Sequence, residues 1–173
     1  ISACLVGSEM CIRDRLYRLS SQQVNAVNTA ALSLVAARTD LSRYATRVAQ
    51  GNTSDTTALR LARQRIASGD RAFQGFSSGL SAAEKTASAD LIQAYTNLSA
   101  NLQSVGRVLE AGDMESYFKQ GTQQAQELLV SERDAFMVRA EEAGQGAMAE
   151  ISFFHTLSVS YTHLRAHETG RNL

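Results

Sequence analysis

The chain has 173 residues, of which 44% are hydrophobic, and its 17 Lys and Arg residues balance 17 Asp and Glu residues. A net charge of zero argues against a basic nucleic-acid-binding protein and against an acidic solvating tail, so no nucleic-acid partner is expected. The sequence contains no proline, the residue that most strongly interrupts helices, and we expect an all-α protein. No apolar run reaches the roughly 18 residues that a membrane-spanning helix needs.

The two ends of the chain differ from its middle. Residues 1–15 read ISACLVGSEMCIRDR, and residues 157–173 read LSVSYTHLRAHETGRNL. Neither segment has a sustained helical stripe, and both resemble peptides translated from sequencing-adapter DNA in frame with a gene fragment. We predict that 1–15 and 157–173 are scars, disordered or loosely helical, on either side of one folded domain at 16–156.

The predicted scars contain the residues that could suggest a metal site. Cys4 and Cys11 lie in the first scar, and His163 and His167 lie in the second. Two cysteines and a His-x-x-x-His pair are possible metal ligands. Because residues in a scar carry no selected function, we expect neither a metal ion nor another cofactor.

The first half of the domain predicts two helices. The first covers about 16–50, where Leu34, Leu41 and Val48 recur every seven residues and Gly51 follows as a stop. The second covers about 55–76 and follows a turn rich in helix-capping residue types.

The second half of the domain predicts two more helices. The third follows a capping box from Ser81 to Glu84 and ends at Gly112. Its apolar residues alternate steps of four and three: Leu91, Tyr95, Leu98, Leu102, Val105 and Leu109. The fourth helix covers about 114–154, is capped by Asp113, and has Phe118 in its apolar stripe. Four amphipathic helices joined by short turns predict an antiparallel up-down-up-down four-helix bundle.

Enzyme signatures are absent from this domain. It has no Glu-x-x-His pair for a di-iron bundle, no His-Glu-x-x-His metal motif and no glycine-rich phosphate loop. His155 lies at the border of the domain, and no histidine further inside can act as a base for a nucleophile. We therefore expect a protein that is not an enzyme.

Three arginines on the first helix form a candidate binding site. Arg43 and Arg47 lie about 40° apart around the helix, whereas Arg38 lies about 140° to 180° away from them. One helix cannot direct all three guanidinium groups at one small ligand, but two copies meeting at a two-fold axis can. The planar fork of arginine suits a carboxylate ligand. On spacing alone, solvated surface arginines are the simpler interpretation.

A second candidate segment begins the fourth helix. Tyr117, Gln120 and Thr122 offer a phenol, an amide and a hydroxyl within two turns, close to the backbone groups of a helix start. Such groups can bind the ammonium and carboxylate groups of an amino acid.

The domain resembles the periplasmic sensor domain of methyl-accepting chemotaxis proteins, in the aspartate and serine receptor family. The segments that carry the resemblance are RTDLSRYATR on the first helix and AGDMESYFKQGTQQAQELL at the third-to-fourth turn. That family has arginines at the same three relative positions. Its second motif is usually aromatic-Phe-x-Gln-Pro-Thr-Gln, so Gly121 replaces a proline, and Lys119 adds a positive charge.

The resemblance implies a homodimer that binds a small amino acid or dicarboxylate between its subunits. One subunit would contribute Arg38, Tyr117, Gln120 and Thr122, and its partner Ser42, Arg43 and Arg47. The arginines would bind carboxylates, while Thr122 and carbonyls near Tyr117 and Gln120 would bind the α-amino group. Ser42 and Tyr117 favour an aspartate-like ligand.

The resemblance also implies a location and a signalling mechanism. The whole receptor would be anchored in the inner membrane by helices on either side of this periplasmic fragment, and a cytoplasmic part would accept methyl groups. Ligand binding would slide the fourth helix like a piston. Two alternatives remain open. One is a four-helix sensor of another class, such as a sensor histidine kinase, or one that reads a periplasmic binding protein. The other is an adaptor bundle without a small ligand.

Overall fold

A computed structural model describes the backbone of residues 2–169 and the side chains of residues 21–146. The described residues form six helices and no strand, which confirms the prediction of an all-α protein. In chain order the helices are α1 Ser2–Ala49, α2 Thr57–Ser78, α3 Ala82–Ala87, α4 Ala89–Glu110, α5 Met114–Phe118 and α6 Thr122–Thr169. Within the described part, no helix is both long enough and apolar enough to cross a membrane.

The chain divides into two units between Met137 and Val138. The first unit comprises α1 to α5 and the beginning of α6, and it contains every candidate site residue. The second unit contains the remainder of α6.

The core of the first unit is built mainly from the apolar faces of α1, α2 and α4, which pack against one another, and it includes Leu129 and Phe136 from the beginning of α6. The heptad residues Leu34, Leu41 and Val48 are buried, as the sequence predicts. The complete stripe of α4 from Leu91 to Leu109 is also buried. Burial of each large aliphatic side chain contributes about 1.5–3 kcal/mol, so these stripes hold α1, α2 and α4 together.

Two predicted helix ends are confirmed by backbone geometry. Gly51 and Gly112 have φ angles of 77° and 74°, a left-handed conformation in which a side chain would clash with the backbone. The Gly51 amide donates to the Val48 carbonyl at 3.0 Å, and the Gly112 amide donates to the Leu109 carbonyl at 3.0 Å. The chain therefore turns sharply after α1 and after α4.

The predicted third helix is two helices. The capping box is present, because Ser81 Oγ accepts from the Glu84 amide at 3.3 Å and Glu84 Oε2 accepts from the Ser81 amide at 2.7 Å. The helix that it starts ends at Ala87, and α4 begins at Ala89 after Ser88, whose ψ of 12° departs from helical geometry. None of the residues of α3 is buried, so no apolar face keeps α3 in register with α4.

The predicted fourth helix is also divided, and the prediction that Phe118 belongs to the core is wrong. α5 ends at Phe118, and α6 begins at Thr122 after a turn formed by residues 119–121. Phe118 is 78% exposed, whereas its neighbour Tyr117 packs against the core. Because the turn interrupts the helix, the apolar spacing within α6 does not extend back to Phe118.

Both terminal helices extend into the predicted scars. α1 begins at Ser2 and α6 ends at Thr169, and no proline is present to interrupt either helix. The side chains of Cys4, Cys11, His163 and His167 lie outside those that the structure describes. The assignment of 1–15 and 157–173 as scars remains a prediction.

Candidate functional site

On α1, Arg43 and Arg47 point away from the protein core, and each forms an ion pair. The Arg43 side chain is 69% exposed, and its Nη1 atom donates to Asp40 Oδ1 at 3.3 Å. The Arg47 side chain is 42% exposed and pairs with Asp55 in the turn between α1 and α2. Each guanidinium has five N–H donors, so these pairs leave donors for another carboxylate.

Asp40 is a buried charge that the sequence analysis did not single out. Its side chain is only 3% exposed, and its Oδ2 accepts from Arg65 Nε of α2 at 2.7 Å. Because Oδ1 accepts from Arg43, one carboxylate connects a candidate site residue to the neighbouring helix. The sequence contained a signal for this buried charge: Asp40 lies among the apolar residues Ala37, Leu41 and Tyr44. An acid beside an apolar stripe usually has a partner.

The two remaining α1 candidates differ in exposure. Arg38 is half-buried, and Ser42 is exposed on α1 beside Arg43. Leu32 lies on the same exposed side of α1 as Arg43 and is 53% exposed. The side of α1 that faces away from the core therefore exposes both polar and apolar side chains.

The second group of candidates surrounds the α5–α6 turn. Gly121 has a φ angle of +63° and lies immediately before Thr122, the first residue of α6. Proline fixes φ near −65°, so proline cannot adopt the conformation observed at Gly121. The turn therefore differs in backbone conformation from one with the Gln-Pro-Thr-Gln sequence that the resemblance predicts.

Gln120 is held from two sides. Its Nε2 donates to the Ser116 carbonyl at 3.2 Å, and its own backbone carbonyl accepts from Asn101 Nδ2 of α4 at 2.6 Å. Asn101 is not among the predicted site residues, although a polar amide beside the apolar residues Leu98 and Leu102 is a signal for a buried hydrogen bond.

Tyr117 and Thr122 complete this group, and both are half-buried. The Tyr117 ring contacts the exposed Phe118 ring edge to face, with the centroids 5.2 Å apart. α5 packs against α1 as well as α4, so it links the helix of the arginines to the helix of Asn101. At this turn, aromatic rings, backbone carbonyls and a hydroxyl are close together in the chain.

The start of α5 is capped by a charged side chain. Asp113 accepts from the Ser116 amide at 3.0 Å, which confirms its predicted capping role. Hydrogen bonds from the Ser116 side chain and then its backbone amide lower the pKa of Asp113 below its usual value. Lys119 pairs with Glu115, so the extra positive charge beside the turn has a partner within the same segment.

A groove between α2 and α4 contains a further carboxylate that the sequence analysis did not identify. Asp70 Oδ1 accepts from Tyr95 Oη at 3.0 Å and from Ser99 Oγ at 2.8 Å. Burial, and then the nearby Asp70 charge, raises the pKa of the Tyr95 hydroxyl. Two cavities of about 360 and 370 Å³ adjoin Asp70 and Gln103. The hydrogen bonds that Asp70 accepts from Tyr95 and Ser99 join α2 to α4.

Among the residues that the structure describes, no three or more His, Cys, Asp or Glu side chains are grouped so that they could hold a metal ion. The site candidates instead form two groups within the first unit. Arg38, Ser42, Arg43 and Arg47 lie along α1, and Tyr117, Gln120 and Thr122 lie at the α5–α6 turn.

Comparison with known protein families finds a match over most of this chain. The family described as Tar ligand binding domain homologue matches residues 13–143, a range that includes both groups of site candidates. A search of curated proteins finds no match. The chain belongs to the Tar ligand binding domain homologue family, which comprises periplasmic ligand-binding domains of chemoreceptors.

Proposed function

We propose that this domain senses a small amino acid or dicarboxylate, of which aspartate is the best candidate, at the interface of a homodimer. The proposal includes an antiparallel up-down-up-down bundle formed by α1, α2, α4 and the part of α6 that belongs to the first unit. The observation that carries it is the pair of arginines, Arg43 and Arg47, exposed on one face of α1 in a domain of a chemoreceptor family.

The arginines are suited to bind the carboxylates of the ligand. A guanidinium donates two parallel hydrogen bonds to a carboxylate, and pairs of this kind are among the stronger hydrogen bonds in proteins. Asp40 and Asp55 already pair with Arg43 and Arg47, so the ligand would take the remaining donors or replace these partners. Ser42 would add a hydroxyl from the same exposed surface.

The α5–α6 turn is suited to bind the α-amino group. Backbone carbonyls near Tyr117 and Gln120 and the hydroxyl of Thr122 are acceptors, and an ammonium group has three donors to satisfy. Tyr117 packs against the core, so it can hold the turn in place. All of these roles are in binding and none is catalytic, and we propose that the domain is a sensor without enzymatic activity.

A second copy of the chain would complete the site. Arg38 lies about 140° to 180° around α1 from Arg43 and Arg47, so a ligand that contacts all three requires two copies of α1. Leu32 is exposed on the same side of α1 as Arg43 and would be buried by such a contact. A two-fold arrangement would create two equivalent sites, each with residues from both subunits.

Signalling would follow from a difference in ligand affinity between two packings of the helices. A ligand that binds Arg43 of one subunit and the start of α6 of the other favours one position of α6 over another. In the whole receptor, we propose that inner-membrane helices transmit this shift to a cytoplasmic part. We also propose a periplasmic binding protein as a partner of the receptor.

Thermal unfolding with and without ligand tests the proposal. Aspartate, succinate or serine at 100 times its dissociation constant stabilises the folded protein by about 2.7 kcal/mol and raises the unfolding midpoint. We expect the rise with aspartate and its loss in Arg43→Ala. Arg60→Ala is the matched control, because Arg60 is an exposed arginine of α2 outside the site. A midpoint shift that survives Arg43→Ala would disprove the site.

Sedimentation separates the dimer proposal from the ligand proposal. We expect aspartate to increase the dimer fraction, because binding at a shared interface stabilises association. Ligand binding by a chain that stays monomeric at all concentrations would contradict the two-subunit site while leaving aspartate recognition intact.

A further inference from the structure

The α5–α6 turn is attached to α4 by one side chain, Asn101. Its Nδ2 donates to the backbone carbonyl of Gln120 at 2.6 Å. On the other side, the Gln120 amide donates to the Tyr117 carbonyl at 3.4 Å, which closes the turn locally. The Gln120 carbonyl is thus oriented by a residue that lies 19 positions earlier in the chain.

Two side-chain oxygens near this turn lack hydrogen-bond donors. Asn101 Oδ1 and Gln126 Oε1 are both buried and accept no hydrogen bond. Gln126 follows Thr122 by one helical turn of α6. A buried acceptor without a donor costs about 1–3 kcal/mol, so a donor that reached either oxygen would be favourable.

We propose that Asn101 is a positioning residue for the amino-acid site and makes that site selective for a ligand with an ammonium group. The inference rests on the proposed function and names a residue on α4, outside both candidate groups. Asn101 uses one lone pair of the Gln120 carbonyl and leaves the second for the ammonium group. Fixing the carbonyl before binding avoids the cost of ordering it when the ligand arrives.

Gly121 increases the importance of this anchor. Its φ of +63° and its missing side chain make the backbone of the turn less restrained than that of a turn that contains proline. Without the bond from Asn101, the Gln120 carbonyl would sample other directions. We therefore expect a lost anchor to weaken binding of the ammonium group more than binding of the carboxylates.

Calorimetric titration with aspartate and succinate tests this selectivity, because succinate has both carboxylates and lacks the ammonium group. In Asn101→Leu we expect aspartate affinity to fall about tenfold or more, as loss of a hydrogen bond that positions a charged group would cause, and succinate affinity to change less than about threefold. Asn97→Leu is the matched control, since Asn97 is an exposed asparagine one turn earlier on α4. We expect both affinities to be unchanged in it.

Equal losses for aspartate and succinate would overturn the proposal, because a merely structural role weakens both. Unchanged affinities would overturn it as well. Asn101→Ala provides a second variant if Asn101→Leu fails to fold, because alanine removes the donor, adds no charge and requires no extra space. The same selective loss of aspartate binding is expected.

Hydrogen exchange of the ligand-free protein tests the anchor by itself. We expect amides of residues 117–125 to exchange faster in Asn101→Leu than in the unaltered chain or in Asn97→Leu. Equal exchange would overturn the anchoring role whatever the ligand. An unaltered chain that binds neither compound would instead disprove the proposed function, and with it the positioning of a ligand.

Discussion

Asp40 of α1 and Arg65 of α2 form an ion pair of 2.7 Å in which the carboxylate is buried and the guanidinium is half-exposed. The same carboxylate accepts from Arg43, which is a proposed ligand-binding residue. A buried carboxylate is stable only when its oxygens have donors. Asp40 therefore joins the packing of α1 against α2 to the orientation of Arg43.

Replacement of Asp40 by Asn should destabilise the protein by about 2 kcal/mol, because two arginines lose their charged acceptor inside the fold. Asp55→Asn is the control, since its partner Arg47 is part of an exposed ion pair that contributes about 0–1 kcal/mol. Urea unfolding measures both. Equal losses of unfolding free energy in the two variants would show that the buried position of Asp40 adds no stability beyond that of an exposed ion pair.

Replacement of Phe118 by Ala should change the free energy of unfolding by less than about 0.5 kcal/mol, as is usual for an exposed residue. Phe73→Ala should cost about 3–5 kcal/mol, because Phe73 is buried and stacks on Tyr95 with a centroid distance of 3.8 Å. Chemical denaturation compares the two. A large loss from Phe118→Ala would restore Phe118 to the core, contrary to the structure.

Two glycine substitutions should have opposite signs. Gly121→Ala should cost about 1–2 kcal/mol, because a φ of +63° is unfavourable for a residue with a side chain. Gly75→Ala should stabilise the protein by about 0.5–1 kcal/mol, because Gly75 lies inside α2 and a methyl group there would meet no atom within 4 Å. Thermal unfolding measures both, and a stabilising Gly121→Ala would contradict the observed turn.

Stability should fall in acid through the carboxylates at helix starts. The pKa of Asp113 is lowered from 3.8, and that of Glu84 is lowered from 4.5 by the Ser81 backbone amide and side chain. A lowered pKa in the folded state means that the contribution to stability is complete above the unfolded value. It is lost as the pH falls through the folded value.

Asp113→Asn separates capping from charge, because asparagine also caps helices but does not titrate. We expect the variant to lose less stability than the unaltered chain between about pH 5 and pH 2, measured by urea unfolding across that range. Glu142→Gln, at an exposed position of α6 that caps no helix, is the control. An acid profile of Asp113→Asn identical to that of the unaltered chain would disprove this contribution.

Local signals in the sequence were sufficient for several parts of the fold. The apolar spacing of α4 identified its buried residues, and Gly51, Gly112 and the pair Ser81 and Glu84 identified ends and starts of helices. These features depend on residues within a few positions of one another. The candidate site residues were found through the spacing of arginines and a resemblance in two short segments, and their joint role in ligand binding remains a proposal.

Only the tertiary structure decided which polar residues meet across helices and where the last predicted helix is interrupted. Asp40 meets Arg65, and Asn101 meets the carbonyl of Gln120, across separations of 25 and 19 positions that no local pattern encodes. The composition and the apolar repeat determined an all-α protein, because helix formation and stripe burial depend on near neighbours. The exposure of Phe118 and the left-handed φ of Gly121 were decided by the packing of α5 against α1 and α4, because a turn adopts the backbone conformation that its surrounding helices allow.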